Sequence, residues 1–359
     1  MITPLKALRK NGFKTALIFI SMSVSIAAIF LISAISGGVV SMYSSMLKTD
    51  GDIIVTQKGI ADTFFSDINR SLVPKIETIA GVREVTALIL GAAPVEPLPI
   101  VGVYGVSINR FKRYGLIQGV YPKSNEVLLG SKIYETLKHP KTISLSKKKF
   151  VVSGVFKSRI GFEDGGVVMG LEDGGELFHK SASIVLITLD DLSQSDTLVQ
   201  KINRLDPDIE AKTTDSFIDS YNQFKIIKTS SDVIGAMAFL MGILGIVSMM
   251  SMVVNERKAE FGIMRSIGLS SIVIIRRLLA ETLIIALVSF IVALGVSLGV
   301  LELIEHADKF QGYINGEITV SLALNVFAVS VVMAFLGTLL PAIYAARIDP
   351  MTLIQRGGS

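Results

Sequence analysis

The side chains able to hold a metal, move a proton or attack a substrate are scarce in this chain. Its 359 residues include no cysteine and three histidines. The missing thiols exclude disulfides, zinc-thiolate sites, iron–sulfur clusters and cysteine nucleophiles. His139, His179 and His306 lie far apart in sequence. None belongs to a His-Glu-x-x-His pattern, and each reads as a surface or loop residue. Glu163-Asp164-Gly165-Gly166 is echoed by Glu172-Asp173-Gly174-Gly175. A calcium loop is one chemistry for such a repeat, but the EF-hand ligand pattern is not met, and turns are the plainer reading. No Gly-x-Ser-x-Gly elbow stands at a strand–helix junction. No Gly-x-x-x-x-Gly-Lys-Ser/Thr loop is present to cradle the phosphates of ATP. The expected tally of catalytic, cofactor-binding and metal residues is therefore none. One acid, Glu281, falls inside an otherwise apolar stretch. An intramembrane carboxylate is a functional candidate by default. The alternative is an interfacial ion pair with the neighbouring Arg276 and Arg277.

The elements around these residues are those of a membrane protein. Half of the residues are hydrophobic and 18% are charged, with a mean hydropathy of +0.58. Soluble domains carry roughly 25% charge. The net charge of +4 is dispersed and gives no footprint for nucleic acid. A spanning helix needs about 20 apolar residues. Four stretches provide them, assigned as 15–40, 231–254, 278–301 and 318–346. The apolar run of the first is longer than a cleavable signal core, so it reads as a retained helix. The spans are rich in Ser, Gly and Ala, and Ala238/Gly242 and Gly295/Gly299 have small-xxx-small spacing. Lys and Arg set the orientation. Lys6, Arg9, Lys10 and Lys14 precede the first span, Arg257, Lys258, Arg265, Arg276 and Arg277 lie between the second and third, and Arg347 and Arg356 follow the fourth. The 302–317 loop has only Lys309 against Glu302, Glu305, Asp308 and Glu317. Both termini (1–14 and 347–359) and the 255–277 segment are thus expected in the cytoplasm, and 41–230 outside it.

The outer segment reads as an α+β domain. Asp52–Gln57, Asn69–Ala80 and Val82–Leu90 form one strand–helix–strand pattern. Ile184–Leu189, Leu192–Leu205 and Ile209–Thr213 form another. Between them, 97–183 reads as an inserted β-rich subdomain. Its strands fall at Pro97–Tyr104, Glu126–Leu129, Lys141–Leu145, Phe150–Phe156 and Val167–Met169. The fold class is a four-helix membrane protein with an extracytoplasmic α+β domain carrying that insert.

Residues 255–269 hold the most specific motif. As a helix they place Phe261, Met264 and Gly268 on one face, with Glu256 and Glu260 on a neighbouring one. The result is a short amphipathic helix along the cytoplasmic surface. Glu256-Arg257, followed by Glu260 through Arg265 to Gly268, resembles the motif after the second span of FtsX/MacB-type ABC transporter permeases. Pro341 to Pro350, Ala7-Leu8-Arg9-Lys10-Asn11, and Gly170-Leu171-Glu172-Asp173 to Leu177-Phe178 also resemble that family. So does the order of parts over the whole length. The resemblance implies an inner-membrane permease in bacteria, related to the MacB, LolCDE and FtsX types. It implies two copies of an ABC ATPase, which would bind the ATP in a separate chain because no fused ATPase domain is present here. It further implies a second permease, identical or homologous, and allows a periplasmic or outer-membrane partner. The function it implies is coupling of ATP hydrolysis to movement of the outer domain. Export or extraction of a lipoprotein, peptide or amphiphile is the first outcome, and FtsX-like activation of a cell-wall hydrolase is the second. The coupling surface is expected at Glu256, Arg257, Glu260, Phe261, Met264, Arg265 and Gly268. Phe261 is expected to carry the contact, with the charges at its rim.

Overall fold

The computed structural model of the protein describes residues 12–158, 163–306 and 316–347. Lys6, Ala7–Asn11, Asp308, Lys309, Ile348–Pro350 and Arg356, named above, lie outside the described residues. The helices are α1 (Gly12–Asp50), α2 (Leu72–Glu77), α3 (Ile108–Phe111), α4 (Ser131–Thr136), α5 (Leu171–Phe178), α6 (Ser195–Asn203), α7 (Thr214–Ser220), α8 (Asn222–Glu256), α9 (Lys258–Ser266), α10 (Ser271–Glu305) and α11 (Val320–Ala346). The strands are β1 (Ile53–Gln57), β2 (Val82–Val95), β3 (Leu98–Val106), β4 (Gly115–Gly119), β5 (Glu126–Gly130), β6 (Thr142–Leu145), β7 (Lys148–Lys157), β8 (Val167–Gly170), β9 (Ile184–Leu189) and β10 (Ile209–Thr213). The chain divides into two compact units.

The first unit is helical. α1, α8, α10 and α11 are each long and apolar enough to cross a membrane. Ile18, Met22, Phe30, Ile246, Met250, Leu278, Ile285, Val326 and Met333 are buried in its core. Close approach depends on small residues. A β-carbon at Gly242 would meet Met333, and one at Gly337 would lie 2.7 Å from Ile246. A β-carbon at Gly295 or Gly299 would meet nothing within 4 Å, so their spacing marks no contact among the described residues. α1 and α8 also extend about nine residues beyond the apolar stretches. Polar Ser and Tyr end a hydropathy run without ending a helix.

The second unit is built on one sheet. Its ladder runs β10-β1-β9-β2-β3-β8-β5-β7-β4, with β6 on β7. The two strand–helix–strand patterns interleave, because β1 pairs with both β9 and β10, and β9 with β2, all antiparallel. This is the split β-α-β arrangement. Leu72 and Ile76 of α2, and Leu198 and Ile202 of α6, cover Ile53, Val55, Val185 and Ile187 on one face. The insert extends the same sheet through the β2–β3 pairing. A shared cluster joins Leu88, Tyr104, Leu128, Phe156 and Leu186 on the opposite face. β4 escaped the sequence reading, since Gly-Leu-Ile-Gln-Gly does not alternate cleanly. The second pattern's helix begins as a short 3-10 turn at Leu192–Gln194 before α6.

The helices entering this unit are tied to one turn. Tyr43 of α1 lies 2.9 Å from the Thr63 hydroxyl. Tyr221, just before α8, donates to Asp62 Oδ1 at 2.9 Å and accepts from the Thr63 backbone N–H. The two tyrosine rings stack at 6.2 Å, and Phe224 packs edge-on against both. The acidic repeat divides: Glu163–Gly165 is a 3-10 turn, whereas Glu172–Gly175, read as a turn, lies within α5. Asp164 accepts from the Ser158 N–H at 2.6 Å, and Asp173 from the Asn125 N–H at 3.0 Å.

Gly91 of β2 has no room for a side chain, because a β-carbon there would run into the Phe178 ring. Residues 37–228 expressed alone are expected to be soluble and to unfold cooperatively. Gly91→Val is expected to cost about 1–3 kcal/mol of that stability by overpacking. Denaturant titration of the two fragments checks this. A variant as stable as the parent would mean that the ring moves aside.

Candidate functional site

α8 and α9 are almost one helix. The Arg257 N–H still bonds to the Val253 carbonyl, and the Phe261 N–H to the Arg257 carbonyl, both at 3.1 Å. Arg257 itself departs from helical geometry at the joint, and its side chain turns inward. The far end of α9 is closed by Gly268 at φ +88°. Leu269 N–H bonds to the Met264 carbonyl and Gly268 N–H to the Arg265 carbonyl. That pair of bonds is a Schellman cap, which needs the left-handed residue glycine supplies.

Four charges lock this short helix against the start of α10. The Arg257 guanidinium meets Glu281 at 2.7 and 3.4 Å and Glu260 at 3.0 Å. Arg277 meets Glu260 at 2.9 Å and Glu281 at 3.3 Å. Two cations and two anions balance. Only Glu260 is substantially exposed, its side chain at 34% against 9% for Arg257 and 4% for Glu281. Burial pushes the Glu260 carboxyl up, but the hydrogen bond from Arg257 and the charges of Arg257 and Arg277 outweigh it and hold it below its ordinary value. Burial also opposes the charged form of Arg257, and Glu281 and Glu260 overcome it, raising that group above its ordinary value. A depressed carboxyl stabilises the fold above its unfolded value and loses that contribution as pH falls through the folded one. The contribution of Glu260 is therefore fully present at neutral pH and is lost as pH falls through its depressed folded value.

The quartet corrects the expected exposure of α9. Phe261 is fully buried and Met264 nearly so, both within the helical core. The Arg257 guanidinium sits 5.1 Å from the Phe261 ring centre. Helical spacing gave the face but not its direction, which the buried ion pair sets by turning Phe261 and Met264 inward. Arg257 is likewise no rim charge. Glu256 is exposed and pairs with Lys14. Arg265 is half-buried and donates to the Leu269 carbonyl at 3.3 Å. The outward stripe is Ala259, Ile263, Ser266 and Ile267, with Ile263 63% and Ile267 71% exposed. The site thus joins Arg257, Glu260, Phe261 and Met264 on the inner face, leaves Glu256 outside, and gives Gly268 a terminating role. Sequence reasoning missed Lys14 as a member; it named Arg277 as a partner of Glu281, which the structure shows, but not of Glu260. It noticed Glu281 but not its buried state, nor Arg257 as its main partner. The available signal was charge balance, since a lone acid in an apolar span requires a cation.

Two family descriptions match the chain. "MacB-like periplasmic core domain" covers residues 15–205, and "FtsX-like permease C-terminal" covers 233–350. Among curated relatives, the lipoprotein-releasing system transmembrane protein LolC of Xylella fastidiosa is 24% identical across 98% of this chain and 96% of its own length. The pyoverdine export ATP-binding/permease protein PvdT of Pseudomonas fluorescens is 32% identical over 124 residues, 34% of this chain and 18% of that protein. The chain thus spans far less than two thirds of PvdT's length. Among solved structures, the periplasmic region of MacB from Actinobacillus actinomycetemcomitans matches with a TM-score of 0.38 and 14% identity, over 48% of this chain and 94% of the other.

Removing one partner of a buried ion pair typically costs about 3–5 kcal/mol, whereas replacing both by apolar groups is often close to neutral. Arg257→Met and Glu281→Leu are each expected to lower the thermal unfolding temperature in detergent strongly. The double variant is expected to recover much of the loss. Singles that unfold like the parent would show that the quartet does not hold α9.

Proposed function

This chain belongs to the MacB/FtsX-like family of ABC transporter permeases, and on that premise we propose that it couples ATP hydrolysis in separate ATPase subunits to movement of its extracytoplasmic domain. The observation that carries this reading is the charge quartet. It fixes the rotation of α9 about its axis, so that a rigid stripe of Ala259, Ile263, Ser266 and Ile267 is left for an ATPase to grip. A helix only connecting two spans has no need of four matched charges at its base. Lys14, Arg257, Lys258, Arg265, Arg276, Arg277 and Arg347 cluster around this end, which supports a cytoplasmic location for it and for both termini. The membrane is then the bacterial inner membrane. Two ATPase copies and a second permease, identical or homologous, complete the assembly.

Movement reaches the outer domain along α1 and α8, each of which contributes residues to both units. The substrate is an amphiphile, a lipoprotein or a peptide with an apolar portion. The helical unit supports that class through a cavity of about 440 Å³, lined by Ile29, Ala236, Phe239, Val329 and Val332 with a single acid, Asp232. Such a lining suits an acyl chain or apolar side chain carrying a polar end.

Ile263→Asp puts a charge into the proposed contact without touching the quartet. It is expected to weaken ATPase binding by about 2 kcal/mol or more, the range of an interface hot spot, and to abolish stimulation of turnover. Lys201→Ala, at an exposed position of α6, is the control. Co-purification and ATPase rates in nanodiscs read both, and an Ile263→Asp complex indistinguishable from the parent would remove α9 as the docking element. Topology is tested separately with an impermeant thiol reagent. Gln200→Cys is expected to react from outside intact cells or spheroplasts and Ser266→Cys only after permeabilisation, and the reverse pattern would invert the orientation.

A further inference from the structure

The β-rich end of the second unit carries a feature that its own core does not use. Between residues 123 and 157 the chain holds eight lysines, no arginine and two acids, Glu126 and Glu135. Lys148 is committed to Glu176 at 2.7 Å and lies over the Phe150 ring. Lys138, Lys141, Lys147 and Lys149 are exposed on or beside the β6–β7 hairpin. No described residue forms an ion pair with them.

The same hairpin has an open edge. β6 pairs with β7 alone, through a two-residue turn at Ser146 and Lys147, both at positive φ. The Val152 N–H donates to the Lys141 carbonyl at 2.9 Å. With Thr142 opposite Val151 and Ile143 opposite Phe150, the hydrogen-bonded pairs are 141/152, 143/150 and 145/148. The alternation of an antiparallel ladder then turns the backbone N–H and C=O of Thr142 and Ser144 away from β7. No described group bonds to them. A groove of about 380 Å³ is bounded by this strand and the β2–β3 turn. Val95, Pro97, Leu137 and Ile143 give it apolar walls, and Lys138 and Glu96 also line it.

Lysines on a short edge strand can serve only to repel other edges. That role needs charge but has no use for an apolar groove beside unanswered backbone groups. We propose that β6 is a docking edge for an extended acidic segment of a partner protein. The segment adds as a strand against Thr142 and Ser144, sets an apolar side chain in the groove and brings its carboxylates to Lys138, Lys141, Lys147 and Lys149. Backbone bonds give such strand addition its affinity, and alternate side chains give its specificity. Lysine fits the task because a mobile point charge accepts a carboxylate in many geometries, where arginine selects bidentate ones. The inference is independent of how the ATPase docks.

The test uses the full chain in detergent and a fluorescent eight-residue peptide of alternating Asp and Val, followed by anisotropy. Saturable binding is expected, weakened at least about tenfold when Lys138, Lys141 and Lys149 are changed to Glu, as for loss of complementary charge. Ser144→Pro deletes an outward N–H that the β7 ladder does not use and is expected to weaken binding comparably. The same peptide N-methylated at every residue, so that neither edge can donate, is expected not to bind the parent, an arm that requires no variant to fold. Equal binding of the N-methylated peptide, or equal displacement by inorganic polyphosphate at matched charge, would mean that the patch attracts any polyanion and would overturn strand addition. Absence of saturable binding would reduce the lysines to edge guards and overturn the proposal outright.

Discussion

The buried pairing of Arg257 with Glu281 is the constraint on which the helical unit turns. A carboxylate and a guanidinium withdrawn from water lose several kcal/mol of hydration each, and regain it only with close geometry and filled hydrogen-bond positions. Here the second arginine and second glutamate supply those positions. The cost of disorder in any one member is high, so the joint between α8 and α9, the rotation of α9 and the start of α10 are set together. Phe261 under the guanidinium and Gly268 at the cap then follow. One electrostatic knot decides which residues of a nine-residue helix are structure and which are surface.

The outer domain is held differently. Its insert shares a sheet and a hydrophobic face with the split β-α-β part, so Leu88, Tyr104, Leu128 and Leu186 belong to one core although they come from four strands. The insert also has a cluster of its own, including Val103, Leu129, Phe150 and Met169, but a lobe on a linker would share no core with its neighbour and would be free to swing. The shared cluster removes that freedom, because bending the sheet between β2 and β3 would expose buried apolar surface at about 25 cal/mol per Å².

Several of these features were legible in the residues. The four spans, the α+β character and all six strand and helix positions read around 52–90 and 184–213 come from periodicity, which reports local burial directly. The ends of α1 and α8 were not legible, since Tyr43, Met46 and Leu47 are helical for the sake of the domain's core and not of the bilayer. The edge strand β4 carried too weak an alternation. At the candidate site the motif located α9, but the inward turn of Phe261 depends on a partner 24 residues from Arg257, a separation that no local pattern encodes. The β6 edge was hidden for a related reason. The lysines stand together in the sequence, but the charges of the whole outer segment nearly cancel, and the open side of β6 is set by its pairing with β7 alone.

The turn at Asp62–Thr63 has a mechanical meaning. Tyr43 and Tyr221 belong to the two chain segments by which the domain is attached, and their hydroxyls converge on that single turn. A displacement shared by both segments leaves these bonds intact and carries the turn along. A displacement of one segment past the other shears the stacked rings and breaks the convergence. The convergence therefore ties the two attachment segments to each other, so that sliding one past the other is opposed by hydrogen bonds and a ring stack while a shared displacement strains neither.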